Sequence, residues 1–171
     1  SRTDGVLVGD ESTLELALST PGLNMVTLAQ DVKLTKSITA NDDSQVVIDL
    51  AGHTLTSTAT RVITAQEGGS VMVCNGDIDA SGKDGVYAVA GNVTLKDVNL
   101  KNANEGILVY DNKSSLNGDS VISFSGCTIE AKEDGLWIYG NGALSEENTT
   151  IVIDDCKITG KNYSGMICNG S

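Results

Sequence analysis

Six aromatic side chains are all that this 171-residue chain carries, and four of them, Tyr87, Tyr110, Trp137 and Tyr139, fall in short apolar runs of one type. Each run opens with an acidic residue and a glycine: Asp84-Gly85, Glu105-Gly106 and Asp134-Gly135. Flat aromatic faces on strands are what sugar rings stack on, at little cost in side-chain entropy. The acids that recur with them, Asp84, Glu105 and Asp134, could hydrogen-bond hydroxyls or hold Ca²⁺, which takes several oxygen ligands. The same row also fits a ladder of solvated turn carboxylates.

Other carriers of chemistry are few. His53 is the only histidine, and the two arginines are Arg2 and Arg61. The adjacent pairs Asp42-Asp43 and Asp154-Asp155 put at most one carboxylate on each side of a strand, so they read as turn or solvated residues. Four cysteines, Cys74, Cys127, Cys156 and Cys168, show no metal-ligand spacing. No nucleophile elbow, phosphate loop or zinc motif is present, and no cofactor is expected.

Lysine and arginine number 11 against 23 aspartates and glutamates, a formal charge of −12. A polyanion would be repelled over most of such a surface, which argues against nucleic acid and anionic membranes as partners. No apolar run approaches the length of a membrane span, so membrane insertion is not expected. With 40% hydrophobic residues the chain can build the core of one domain and is too short for two ordinary ones.

The elements that would position these residues come from an internal repeat. One apolar template fits Ile48, Leu50, His53, Leu55; Val71, Val73, Gly76, Ile78; Val93, Leu95, Val98, Leu100; Ile122, Phe124, Cys127, Ile129; and Ile151, Ile153, Cys156, Ile158. Its copies begin 23, 22, 29 and 29 residues apart. Each later copy has a second half, Asp84-Gly85-Val86-Tyr87-Ala88, Glu105-Gly106-Ile107-Leu108-Val109, Asp134-Gly135-Leu136-Trp137-Ile138 or Ser164-Gly165-Met166-Ile167-Cys168. Alternation at period two makes these strands with one buried face. No copy can bury that face alone, whereas stacked copies can. The expected fold is all-β, a right-handed parallel β-helix of about five to six turns. The recurring glycine implies a close approach or a conformation that a Cβ would obstruct.

Stacking puts Tyr87, Tyr110, Trp137 and Tyr139 in outward columns, with Leu108 and Ile167 among them. Three coverings are open for that stripe: the long loops at 111–120 and 141–149, a protein partner, or a glycan. Cys127 and Cys156 share a slot and should stack on adjacent turns as a reduced pair. His53 occupies the same slot one end earlier, as a structural residue.

Residues 1–9 read as a tail and 10–171 as one β-helix domain. Within it, residues 10–22 form a capping helix in which Asp10 caps Glu11 to Ser19 and Pro21-Gly22 ends it; 23–45 form an irregular first turn and 46–168 the regular turns. The opening Ser1-Arg2-Thr3-Asp4-Gly5 fits a trimmed chain. The last copy has no evident cap, which fits a piece of a longer protein or self-association through the C-terminal turn.

The run Val46-Val47-Ile48-Asp49-Leu50-Ala51-Gly52-His53-Thr54-Leu55, with Val26-Thr27-Leu28 and the helix before it, resembles the opening of pectate-lyase-like right-handed β-helix domains. The resemblance covers about residues 10–168. It implies a bacterial secreted or cell-surface protein of adhesin-like type, extracellular, with a polysaccharide or host-cell glycan as ligand. Lyases of that superfamily need an acidic calcium site and a basic residue, usually arginine; its hydrolases need paired aspartates. Arg61, His53 and the aspartate pairs do not compose either set. The sequence therefore favours a non-catalytic module that binds glycan or protein or serves as a rigid stalk, over a polysaccharide lyase or glycosidase acting on acidic polysaccharide.

Overall fold

The computed structural model describes residues 5–20, 25–42, 44–111, 120–140 and 149–169. A first strand, β1 (Val6–Val8), and the helix α1 (Glu11–Ser19) precede a turn made of β2 (Val26–Leu28), β3 (Val32–Leu34) and β4 (Ile38–Ala40). The next turn holds β5 (Gln45–Asp49), β6 (Thr54–Ser57) and β7 (Arg61–Gln66). In the following two, one long strand bends through the first corner: β8 (Ser70–Asp79) with β9 (Asp84–Val89), then β10 (Asn92–Ala103) with β11 (Ile107–Asp111). The remaining turns are β12 (Ser120–Ser125), β13 (Thr128–Ala131) and β14 (Leu136–Gly140), and β15 (Thr149–Asp154), β16 (Lys157–Gly160) and β17 (Met166–Asn169).

The pairings between successive turns are parallel, and the chain forms an all-β parallel solenoid of about five turns with a single short helix. Its first face runs β1-β2-β5-β8-β10-β12-β15, and its third runs β4-β7-β9-β11-β14-β17. The second face joins β3, β6, the far halves of β8 and β10, β13 and β16. Inward columns stack like on like: Ile48, Val73, Leu95 and Phe124 on the first face, and Ile63, Val86, Ile107 and Leu136 on the third. All eight are fully buried. Each such side chain contributes about 1.5–3 kcal/mol of apolar burial.

The helix forms where its cap dictates. Asp10 accepts the Thr13 N–H at 2.8 Å and the Thr13 hydroxyl reaches back to the Asp10 N–H at 3.3 Å, satisfying two end groups reciprocally. Leu14 and Ala17 turn inward and close the N-terminal end of the core, against β1, β2 and β3. Pro21 and Gly22 lie outside the described residues.

The structure departs from the sequence reading at three places near this end. Within the expected tail, Val6–Val8 is a strand paired with Val26–Leu28, and Val8 is buried. The expected irregular turn instead contains β2, β3 and β4, in register with β5, β6 and β7. Third, Val46 and Ile48 are the residues that pair with Val71 and Val73, so Leu50 is not a template position. The first corner of that turn is two residues longer, and it uses Ala51 at φ 51° and Gly52 at φ 86°.

Left-handed residues mark this corner in every later turn: Asn75 at φ 62°, Asp97 at 54°, Gly126 at 63° and Asp155 at 52°. Asn and Asp tolerate that region because their side chains bond locally. Asp155 is thus a corner residue. The corner glycines before the third face serve a different end. A Cβ on Gly85 or Gly135 would lie 2.5 Å from the carbonyl oxygen of the equivalent glycine one turn on, and at Gly106 it would lie closer still. At the far end, beyond which no described strand lies, inward Ile153 is 38% and Met166 55% exposed.

Candidate binding face

The third face carries the outward aromatic residues. Register places Thr64, Tyr87, Leu108, Trp137 and Ile167 in one column. Gln66, Val89, Tyr110 and Tyr139 form the next. Parallel stacking brings the Tyr110 and Tyr139 rings, 29 residues apart in sequence, into contact, and Tyr87 and Tyr139, 52 apart, into a hydrogen bond. Tyr110 and Tyr139 have ring centroids 5.1 Å apart, tilted by 49°, and Trp137 and Tyr139 have centroids 4.8 Å apart, tilted by 38°. The Tyr139 phenol is pushed above its ordinary pKa, first by burial and then by the charge of and hydrogen bond with Tyr87. All four aromatics are half-buried, and Leu108 between them is only 6% exposed. The segments 112–119 and 141–148, from the loops that are one of three coverings open for this stripe, lie outside the described residues.

Arg61 joins the cluster. Its guanidinium carbon sits 3.9 Å over the centroid of the Tyr87 ring, a cation–π contact. Sequence spacing alone gives this arginine no companion. The register shows what was missed: Arg61 pairs with Asp84, so it fills the position that acids occupy in the later turns. Arg61 Nε and Trp137 Nε1 are both buried and neither has a hydrogen-bond partner. Arg61 makes no ion pair among the described residues.

The acid column is built into the corner beside this face. Asp84 Oδ1 accepts the Glu105 N–H at 3.2 Å, Glu105 Oε2 the Asp134 N–H at 3.0 Å, and Asp134 Oδ1 the Ser164 N–H at 3.1 Å. Each carboxylate therefore ties its turn to the next, and Asp134 is only 7% exposed. Burial raises the Glu105 pKa above the ordinary range, and the charges of Asp134, Asp84 and Glu133 add to it. Among the described residues, no three His, Cys, Asp or Glu side chains are grouped to hold a metal ion.

The other candidates stand apart from the face. His53 Nδ1 lies 3.7 Å from Asp31 Oδ1 at the widened corner, and its side chain is 37% exposed. Asp42 is a turn residue at φ 49°, and Asp43 lies outside the described residues. Cys127 and Cys156 stack as free thiols, with the Cys127 N–H donating to Cys156 Sγ at 3.4 Å. Burial pushes the Cys127 thiol up, which makes it a poor nucleophile.

No protein-family model, curated protein or solved structure matches this chain. What the site can do chemically therefore rests on its own residues: an aromatic surface for stacking, one guanidinium, and two donors without acceptors.

Proposed function

We propose that the chain is a non-catalytic module, adhesin-like and acting outside the cell or at its surface, that holds a glycan on the third face of the solenoid. The observation that carries this reading is the convergence of Tyr87, Tyr110, Trp137 and Tyr139 from three successive turns, with rings in contact on paired strands. Strands fixed by both neighbours hold those rings without further ordering, so a sugar gains stacking area at small entropic cost. The guanidinium of Arg61 brings further N–H donors beside the rings, and oxygen acceptors are what a sugar presents in number. The resemblance of residues 10–168 to pectate-lyase-like domains supports the same ligand class.

The acids nearest in sequence to the face are held in backbone hydrogen bonds along the corner, an arrangement that suits stacking of turns better than proton transfer. Retention on a glycan array tests the proposal. The parent chain is expected to bind a subset of glycans, and Trp137→Ala to lose that binding while keeping its far-ultraviolet dichroism. An array on which nothing is retained, or on which Trp137→Ala binds as the parent does, rejects the reading. Release of an unsaturated, ultraviolet-absorbing product from a uronate polymer would instead make the chain a lyase.

A further inference from the structure

We infer that Arg61 is the anchor for an oxyanion carried by the ligand, a sulfate ester or a carboxylate of the glycan. The inference rests on the glycan reading and adds the charge of the group that the face selects. Three observations converge on it.

The first is a charge without an ion-pair partner among the described residues. The chain has 23 acidic residues, yet Arg61 is without an ion pair among the described residues. Its register partner Asp84 is the obvious counter-ion, but the Asp84 carboxylate is turned along the corner to accept the Glu105 N–H at 3.2 Å. The second is an unmet hydrogen bond. Arg61 Nε is buried and unpartnered, and so is Trp137 Nε1 in the same cluster, linked to it through Tyr87 and Tyr139. A buried donor without an acceptor costs about 1–3 kcal/mol, so two in one cluster favour entry of a group with several acceptor oxygens. The third is orientation. With its carbon 3.9 Å over the Tyr87 centroid, the guanidinium has one side covered by that ring, and its N–H donors lie along its planar edge. That edge matches two oxygens of a carboxylate or sulfate in a paired geometry that a single hydroxyl cannot supply. A lysine at this position would give a point charge with neither the fork nor the stack.

The rest of the surface opposes anions, since the formal charge is −12. Recognition is therefore local, through contact with the guanidinium, and does not arise from long-range attraction. It follows that a free anion binds weakly and that the anion contributes most when stacking already holds the sugar.

The test has two arms. In the first, the parent chain and Arg61→Gln are compared on matched glycans that are neutral, sulfated or uronate-bearing. The parent is expected to prefer an anionic form, and Arg61→Gln to lose about tenfold or more of that preference, its affinity falling further for the anionic form than for the neutral one. Which anionic form is preferred distinguishes sulfate from carboxylate. In the second arm, sodium sulfate and sodium acetate are titrated while the Arg61 Nε–H and Trp137 Nε1–H resonances are followed; a saturable shift is expected, with that of Trp137 Nε1–H lost in Arg61→Lys. Thermal melts of both variants establish that they are folded. Equal binding of neutral and anionic glycans, with no effect of Arg61→Gln, overturns the inference and leaves the glycan reading standing. Failure to retain any glycan, with a saturable anion shift at Arg61, overturns the glycan reading and leaves the anion site. Failure of both arms overturns both.

Discussion

Replacing Gly135 by alanine adds one methyl group at a corner where successive turns approach closely. The new Cβ would lie 2.5 Å from the Gly165 carbonyl oxygen and 2.5 Å from Ile158 Cγ2. The carbonyl cannot retreat freely, because it accepts the Leu136 N–H at 2.9 Å as part of the ladder between turns. Overpacking of this kind costs about 1–3 kcal/mol, and weakening that hydrogen bond about 1 kcal/mol more. Against this stands a gain of about 0.4–1 kcal/mol, since alanine reduces the freedom of the unfolded chain. Gly135 does not have a positive φ, so backbone conformation adds no further penalty. The balance is a loss of about 1–3.5 kcal/mol. Urea unfolding followed by far-ultraviolet circular dichroism measures it as a lower midpoint at unchanged slope. A midpoint equal to or above that of the parent would show that the backbones are not in contact there, and the stacking argument for the glycine would fail.

Other substitutions probe different parts of the account. Phe124→Ala empties the largest inward position between Leu95 and Ile153 and should cost about 3–5 kcal/mol in the same assay. Ala51→Gly relieves an exposed residue held at φ 51° and should stabilise by about 0.5–1 kcal/mol. Glu105 has a raised pKa in the folded chain, so the fold holds its proton more tightly than the unfolded chain does; its contribution is favourable below the unfolded value and is lost as pH rises through the folded one. Glu105→Gln keeps an acceptor for the Asp134 N–H and removes the repulsion from Asp134, Asp84 and Glu133, so its urea midpoint should exceed the parent's at pH 7 and lose that advantage on acidification.

How much of this was legible in the sequence depended on whether a pattern or a side-chain direction was needed. The inward columns and the helix from Glu11 to Ser19 follow from period-two alternation and from the Asp10 cap, both local signals. The register of the first copy was not legible in the same way. A shift of two residues preserves the parity of a strand, and Leu50 is apolar, so Ile48 and Leu50 imitate Val71 and Val73 although Val46 and Ile48 are their partners. The strand Val6–Val8 has three residues, too few to show an alternation.

At the face, the aromatic columns could be read from spacing, because stacking converts equal positions into neighbours. Arg61 could not be read as their companion without extending the acid column back by one turn, where a cation replaces the acid. Nor does the spacing of Asp84, Glu105 and Asp134 reveal that their oxygens bind backbone N–H groups of the next turn; that depends on rotamers at a corner. His53 keeps its place in the template but is partly exposed, at the corner that carries two additional residues.

The central claim is that turns stack in register so that rings distant in sequence meet on one face. Through-space nuclear Overhauser contacts among the aromatic rings test it most directly. Cross-peaks are expected from the Tyr139 ring to both Tyr110 and Trp137, whose centroids lie 5.1 and 4.8 Å away. Contacts from Trp137 but none from Tyr110 would mean that the turns carrying Tyr110 and Tyr139 do not stack as described, and would contradict the account.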